Sequence, residues 1–422
     1  MMKIGIIGSG ISGLTCATIL SEKHEITLFE KNNYFGGHSN TINVNSNKLG
    51  NFSVDTGFIV YNKTNYPNFS KFLNFLDINS YKSNMSFSIS IDDGKLEYSG
   101  SILGLIANYK NFFNKEYFLI LRDIFRFFNY GVSYKIQNSD KETLENYLDR
   151  CNFSKSFRDY HLIPMASAIW STNEKDILKF PINTMLDFFK NHQLLNFVKR
   201  PLWETISGGS ALYVSKILSI LKSRGNQLYL NKKITKLKKI DNKIILIDEN
   251  EKEYDFDCVV FANHTDQACK ILIHYDKEYE KTLKNFRFQP NTTYLHSDKE
   301  LMPKNKLTWS SWNYLYQSKN KKSCVTYWMN KLQSLNTDKD IFVTLNPIIK
   351  PKDEKIIKVI NYSHPIFDFN SVKTQKKVNK LQGQNKIFFA GAWNGYGFHE
   401  DGVNSALNVC KFLDIEPSWI NL

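Results

Sequence analysis

The stretch Met2–Lys31, MKIGIIGSGISGLTCATILSEKHEITLFEK, decides the fold. It opens on an apolar strand, Lys3 to Ile7, which runs straight into Gly8-Ser9-Gly10-Ile11-Ser12-Gly13. A helical segment to about Glu22 follows, then a second strand, Glu25 to Phe29, closed by Glu30 and Lys31. Each glycine has its own task. Gly8 permits a tight strand-to-helix turn, Gly10 leaves room for a pyrophosphate, and Gly13 lets the helix pack close on the strand. The helix start offers unpaired N–H groups and a positive dipole end to phosphate oxygens. Glu30 falls roughly twenty residues past the central glycine, where a carboxylate binds ribose hydroxyls and repels a 2′-phosphate. Strand, helix, strand and acid in register predict a dinucleotide-binding βαβ unit.

A chain of 422 residues suits two domains and a large core. Its 42% hydrophobic and 23% charged residues are globular values, which sets aside disordered and fibrous classes. A net charge of +14 points first to nucleic acid or an anionic surface. The lysines are scattered, however, as at Lys350, Lys352, Lys376 and Lys377, and Asn, Ile, Phe and Tyr are abundant with them. That pattern reads as compositional bias, and no nucleic-acid partner is expected. Cys16, Cys151, Cys258, Cys269, Cys324 and Cys410 form no CxxC and read as buried thiols of a reducing compartment. No apolar run reaches the length of a membrane span, and no leader precedes the first strand. The expectation is a cytoplasmic protein, peripheral to the inner membrane face.

Further motifs follow in order. Gly36-Gly37-His38 is succeeded by Val54-Asp55-Thr56-Gly57-Phe58. Gly208-Gly209-Ser210-Ala211-Leu212 opens a helix to about Ser223, ahead of β pieces at Gln227–Leu230, Ile234–Leu237 and Ile244–Asp248. Asp257 to Ala262 is another apolar strand, ending at Asn263 and His264. The tail, Lys386 to Ala406, carries Ala390-Gly391-Ala392-Trp393-Asn394-Gly395-Tyr396-Gly397-Phe398-His399-Glu400-Asp401-Gly402.

This set of motifs resembles the flavin-dependent amine oxidase and phytoene desaturase superfamily across nearly the whole chain. The resemblance implies FAD as cofactor and an α/β fold, α+β overall. Its parts would be a Rossmann-like FAD-binding domain of GR2-type topology and a discontinuous substrate domain with a mixed or antiparallel sheet and helices. The FAD domain would comprise 1–80, 200–270 and 380–422; the substrate domain, 81–199 and 271–379. The implied cofactor contacts are Gly8, Ser9, Gly10, Ile11, Ser12, Gly13, Glu30, Lys31, Gly36, Gly37, His38, Gly57, Ala262, the Ile234 backbone beside adenine, and Gly391 near the ribityl–pyrophosphate. A final helix beginning at Gly402 and Val403, with Asp401 before it, would face the flavin pyrimidine. His38 stands where the family often has Arg, and Ala392 where it often has an acid. The tail, with A-x-W-S at Ala168–Ser171 and S-W-N-Y at Ser311–Tyr314, resembles more narrowly a bacterial group of NAD/FAD-binding flavoproteins. Their genes often neighbour cyclopropane-fatty-acid-synthase-like methyltransferases, which implies work on fatty-acyl lipids.

The expected activity is hydride transfer from a substrate C–H bond to flavin N5, on an apolar or fatty-acyl substrate. Amine oxidation is the alternative, and a non-catalytic flavin protein at a membrane is a third. Trp393, Tyr396, His399 and Glu400 are the catalytic candidates: the first two as an aromatic wall, the others as polar groups at the flavin edge. The same stretch also reads as a helix cap. Lys115–Ser133 reads as an amphipathic helix with Arg122, Arg126 and Asn129 in one stripe. It either covers the substrate domain or, with Lys110 and Lys115, touches anionic lipid headgroups. His161 to Ser171 walls a tunnel through Met165, Ile169 and Trp170, or is plain core. His264, just past a strand's C-terminal end where sites form, reads as a structural or solvent-facing histidine in preference to a site residue, and His296 with Asp298 as polar groups lining or bordering a cavity, with no ligand cluster for a metal.

Overall fold

The computed structural model describes every residue except 134–141, 192–200, 274 and 421–422. The N-terminal strand is Lys3–Ile7, the helix Ile11–Leu20 and the next strand Glu25–Phe29. They pair in parallel inside a five-stranded sheet ordered Ile387–Phe389, Cys258–Phe261, Lys3–Ile7, Glu25–Phe29, Gln227–Tyr229. An all-parallel sheet is covered on both faces, so its strands are apolar throughout. Strand alternation divides them between two cores. Ile4, Ile6, Ile26 and Leu28 pack with Leu14, Ile217, Val403 and Val409 of three helices on one side. Ile7, Phe29, Val259 and Phe261 pack with Leu246 and Phe256 on the other. Those last two belong to an antiparallel meander of Ile234–Ile240, Lys243–Asp248 and Glu253–Phe256.

A second sheet has seven strands, ordered Ile356–Ile366, Arg287–His296, Phe342–Leu345, Lys322–Trp328, Trp312–Gln317, Phe87–Ile91, Leu96–Ser99. All neighbours are antiparallel except Trp312–Gln317 against Phe87–Ile91. Residues 102–191 supply mostly helices that pack against it, and Lys115–Ser133 is one helix as its periodicity predicts. The architecture is therefore the expected α/β one: a Rossmann-like sheet beside a mixed sheet with helices.

The arginine stripe on Lys115–Ser133 makes ion pairs within the protein. Asp123, fully buried, accepts from Arg122 at 2.9 and 3.1 Å, from Arg126 at 2.8 Å and from the Ser154 N–H at 2.8 Å. Arg126 also donates to the Cys151 carbonyl at 2.9 Å. Both guanidiniums are thus engaged in holding the helix to the 151–154 turn; the Lys110 side chain lies outside the described residues.

Candidate active site

The glycine turn is built as its spacing demands. Gly8 has φ +104°, the left-handed region, and a Cβ there would meet the Ala262 backbone at 2.8 Å. A Cβ on Gly10 would meet nothing within 4 Å, so this position faces open space. No side chain caps the helix that follows, which leaves its first N–H groups for an anion. The second glycine pair closes over this turn: the Gly36 N–H donates to the Ser9 carbonyl at 3.0 Å, and Gly37 lies against Gly10. Gly57 passes under His38, whose carbonyl accepts from the Phe58 N–H at 2.7 Å. Glu30, buried at the end of its strand, accepts from the Ser9 N–H at 3.1 Å, the Ser9 hydroxyl at 2.6 Å and the Asn32 N–H at 2.9 Å.

All of this opens into one cavity of about 1270 Å³. Single-ligand pockets run to roughly 300–1,000 Å³, so the space suits a dinucleotide and a substrate together. Gly8 to Ser12, Glu30, Lys31, Gly36, Gly37, His38, Gly57, Ile234, Ala262 and Gly391 line it. Gly13 does not; it packs against Gly8 behind the turn. Beyond the glycine turn the lining turns aromatic and aliphatic, with Met85, Phe87, Leu121, Ile124, Phe128, Met165, Ile169 and Trp170.

The tail residues separate. His399, Trp393, Tyr396 and Phe398 line the cavity. His399 stacks on Phe58 with ring centroids 3.6 Å apart, and its Nε2 lies 3.1 Å from both the Ser39 and Tyr213 hydroxyls. Burial holds its pKa far below the usual value, so it is a neutral imidazole. The Trp393 indole donates to the Asn263 carbonyl at 3.2 Å.

Glu400 points elsewhere. Its carboxylate accepts from the Asn68 and Phe69 N–H groups at 3.1 and 2.9 Å, so it caps the helix Pro67–Phe75 and is absent from the cavity wall. The last helix begins at His399, three residues ahead of the expected start at Gly402. Asp401 accepts from the Phe398 N–H at 2.9 Å as its N-terminal cap, and burial pushes the carboxyl up to about 7. Gly402 and Val403 sit a turn in; a Cβ on Gly402 would strike Ile11 at 2.6 Å. None of these three lines the cavity. His296 and Asp298 are also off it: His296 meets the Thr344 hydroxyl at 2.7 Å, and Asp298 accepts from Lys355 at 3.0 Å.

Three lining groups escaped the sequence reading. Tyr362 stacks on His38 at 4.8 Å, His364 approaches His38 at 4.9 Å, and Tyr98 bonds His161. Burial pulls His38 down to about 4 and His264 to about 3, so this wall is uncharged too. Tyr98, Tyr362 and His364 lie on sheet strands, where alternation shows a face but not what stands opposite.

The geometry joins a Rossmann-like sheet to the seven-stranded mixed sheet and its helices across one shared cavity. Residues 6–76 match the family model of the NAD(P)-binding Rossmann-like domain. A segment of 57 residues is 46% identical to a 4,4′-diapophytoene desaturase of Staphylococcus aureus, over 13% of this chain and 10% of that protein. The chain thus matches about a tenth of the desaturase's length. In fold it is similar to cyclohexylamine oxidase from Brevibacterium oxydans: TM-score 0.69, 13% identity, 98% of this chain and 99% of the other. It is likewise similar to the fatty acid isomerase from P. acnes that produces CLA: TM-score 0.67, 14% identity, 97% and 98% covered. The N-terminal sequence thus matches a Rossmann-like domain, and the whole chain shares its fold with flavin-type amine oxidases and a fatty acid isomerase.

The residues present fit FAD. Gly10 faces open space large enough for a pyrophosphate, the helix beside it has no side-chain cap on its first N–H groups, and Glu30 and Ile234 line the same cavity.

Proposed function

We propose that this chain is an FAD-dependent oxidoreductase acting on an apolar acyl lipid, with 1–80, 200–270 and 380–422 as cofactor domain and the remainder as substrate domain. Bound FAD would supply the two-electron acceptor for hydride leaving a substrate C–H bond. The chain's own residues hold and shield. Gly8–Ser12, Gly36–Gly37, Glu30 and Ile234 hold the nucleotide, with Gly13 packing behind the turn. Trp393, Tyr396, Phe398 and His399 wall the reacting end, and the apolar lobe excludes water.

One observation carries the choice of substrate. The charged residues lining the cavity are Glu30, Lys31, Lys232, Lys233, Asp266 and Lys270, all from the nucleotide side. Among the described lining residues, the substrate lobe has no Asp, Glu, Lys or Arg. An ammonium or carboxylate taken in there loses its hydration with no counter-ion, at a cost of several kcal/mol, whereas an acyl chain gains from every buried methylene. The CLA-producing fatty acid isomerase among the fold relatives agrees with this reading.

Peripheral contact with an anionic membrane belongs to the same proposal, on a surface other than the arginine stripe. Ile106, Tyr109, Phe112, Phe113, Phe118 and Phe125 are exposed, and Phe125 also lines the cavity, so the apolar surface is continuous with the apolar lobe. Among the described residues no helix is long and apolar enough to cross a membrane.

The test is an anaerobic absorbance titration of the flavin-loaded protein with phospholipid vesicles, fatty-acyl esters and a panel of amines. Bleaching by acyl lipids alone supports the reading. Bleaching by amines alone replaces it with amine oxidation, and flavin that no donor reduces replaces it with a structural role.

A further inference from the structure

The Tyr98–His161 pair brings uncharged hydrogen-bonding groups into the apolar lobe. His161 stands in the π-helical turn Arg158–Leu162, an irregularity often found at functional positions. Its Nδ1 lies 3.0 Å from the Tyr98 hydroxyl, and that hydroxyl donates across 2.9 Å to the Tyr160 carbonyl. A carbonyl only accepts, so the single Tyr98 proton is committed to Tyr160. In the remaining contact the hydrogen belongs to His161 Nδ1. Burial pulls the imidazole down to about 4, so at neutral pH it carries one proton and Nε2 is a bare acceptor. Among the described residues no group bonds Nε2, and it is not one of the sealed, unpartnered buried atoms. The His161 side chain keeps part of its surface accessible and lines the cavity with Tyr98. A fixed lone pair therefore faces the lobe.

We propose that the lobe binds an acyl lipid carrying an uncharged hydroxyl, whose O–H donates to His161 Nε2. The proposal rests on the acyl reading above and narrows it. A carboxylate brings no proton and would meet a lone pair with no cation nearby. An ammonium brings a proton together with a charge that nothing in the lobe balances. A hydroxyl brings the proton alone. Tyr98 is a positioning residue, because its bond fixes which imidazole nitrogen is bare.

Calorimetric titration of the flavin-loaded protein tests this with the methyl ester of a long-chain hydroxy fatty acid, the same ester without its hydroxyl, the free acid and a long-chain amine. A monoacylglycerol separates a headgroup hydroxyl from one on the chain. The hydroxyl-bearing probe binds on the order of five- to tenfold tighter than the plain ester, the range of one net hydrogen bond. His161→Phe equalises the two esters. His161→Gln, whose amide oxygen still accepts, keeps part of the preference. Equal affinity of the two esters for the unmutated protein, or a preference that survives His161→Phe, overturns the proposal. Esters that bind without preference remove the role of His161 alone. If no acyl probe binds, the acyl reading falls and this inference with it.

Discussion

Gly13 and Gly8 are in such close contact that a Cβ on Gly13 would lie 1.9 Å from the Gly8 carbonyl oxygen. Two residues away, a Cβ on Gly10 would meet nothing within 4 Å. The two glycines of one motif therefore fail differently. Gly13→Ala should destabilise the protein itself by about 1–3 kcal/mol, since helix and strand must separate. Gly10→Val should leave the apo-protein's urea midpoint within experimental error, because its backbone is extended and its side chain enters empty space. It should nonetheless purify colourless, with the pyrophosphate position filled. Retained yellow colour in Gly10→Val would sink the FAD placement.

Glu30 carries a double load. Its carboxylate ties the Ser9 and Asn32 backbone together as well as facing the cavity. Glu30→Ala should thus weaken FAD binding and also lower apo-protein stability by about 1–3 kcal/mol, the cost of orphaned buried donors. A titration of apo-protein with FAD, run beside a urea melt, separates the two effects.

Glu400→Ala should behave as the loss of a helix cap. Without the carboxylate, the Asn68 and Phe69 N–H groups lose their acceptor, costing about 0.5–2 kcal/mol. Flavin reduction rates should stay within a factor of about two once the protein is folded, since an acid engaged with helix 67–75 and Asn404 and absent from the cavity wall changes no transition-state contact. A loss of 100-fold or more in rate with an unchanged melting temperature would return Glu400 to the catalytic set.

These outcomes mark where sequence was legible. The βαβ unit was readable because apolar alternation, glycine spacing and the terminal acid all act within about thirty residues and agree. The tail was readable as a cavity wall but not in detail. His399 and Glu400 are neighbours on one helix, about 100° apart around its axis, so one enters the cavity and the other turns to Asn68. Arg122 and Arg126 form a polar stripe that reads as solvated or lipid-facing. Only the fold shows Asp123 buried between them and joined to Ser154, 31 positions away. The Tyr98–His161 pair spans 63 positions, and no local pattern announces it.

Acid should unfold this protein early. Burial strongly depresses six histidines, His38, His161 and His296 to about 4, His264 to about 3, and His364 and His399 well below the usual value, and lowers His24 as well. Below pH 6.5 the unfolded chain binds protons at these sites and the folded chain does not. Stability is therefore full above about 6.5 and falls with pH toward 4, at about 1.4 kcal/mol per unit for each histidine. Asp401, raised to about 7, pulls the other way, since its protonated form is favoured in the fold. Burial raises Asp55, Glu142, Asp159, Glu174 and Glu400 in the same sense, and the six imidazoles are expected to outweigh these carboxyls. The urea midpoint should drop steeply between pH 6.5 and 5; a flat profile would mean that these rings are hydrated or charged in solution.

The aromatic loop beside the cavity should govern contact with lipid. Phe113 is 89% exposed and Phe118 51%, with Phe125 at 58% reaching the cavity lining. Burying one phenylalanine in a bilayer interface is worth about 1.5–3 kcal/mol, so losing two should cut vesicle partitioning by about two orders of magnitude or more. Phe113→Asp with Phe118→Asp should abolish co-sedimentation with anionic vesicles while leaving the melting temperature unchanged, because both rings face water. Arg122→Gln is the matched control. Its guanidinium is engaged with Asp123, so the variant should lose stability and keep its vesicle binding. If Arg122→Gln alone releases the protein from vesicles, the arginine stripe is the lipid contact and the aromatic loop is not.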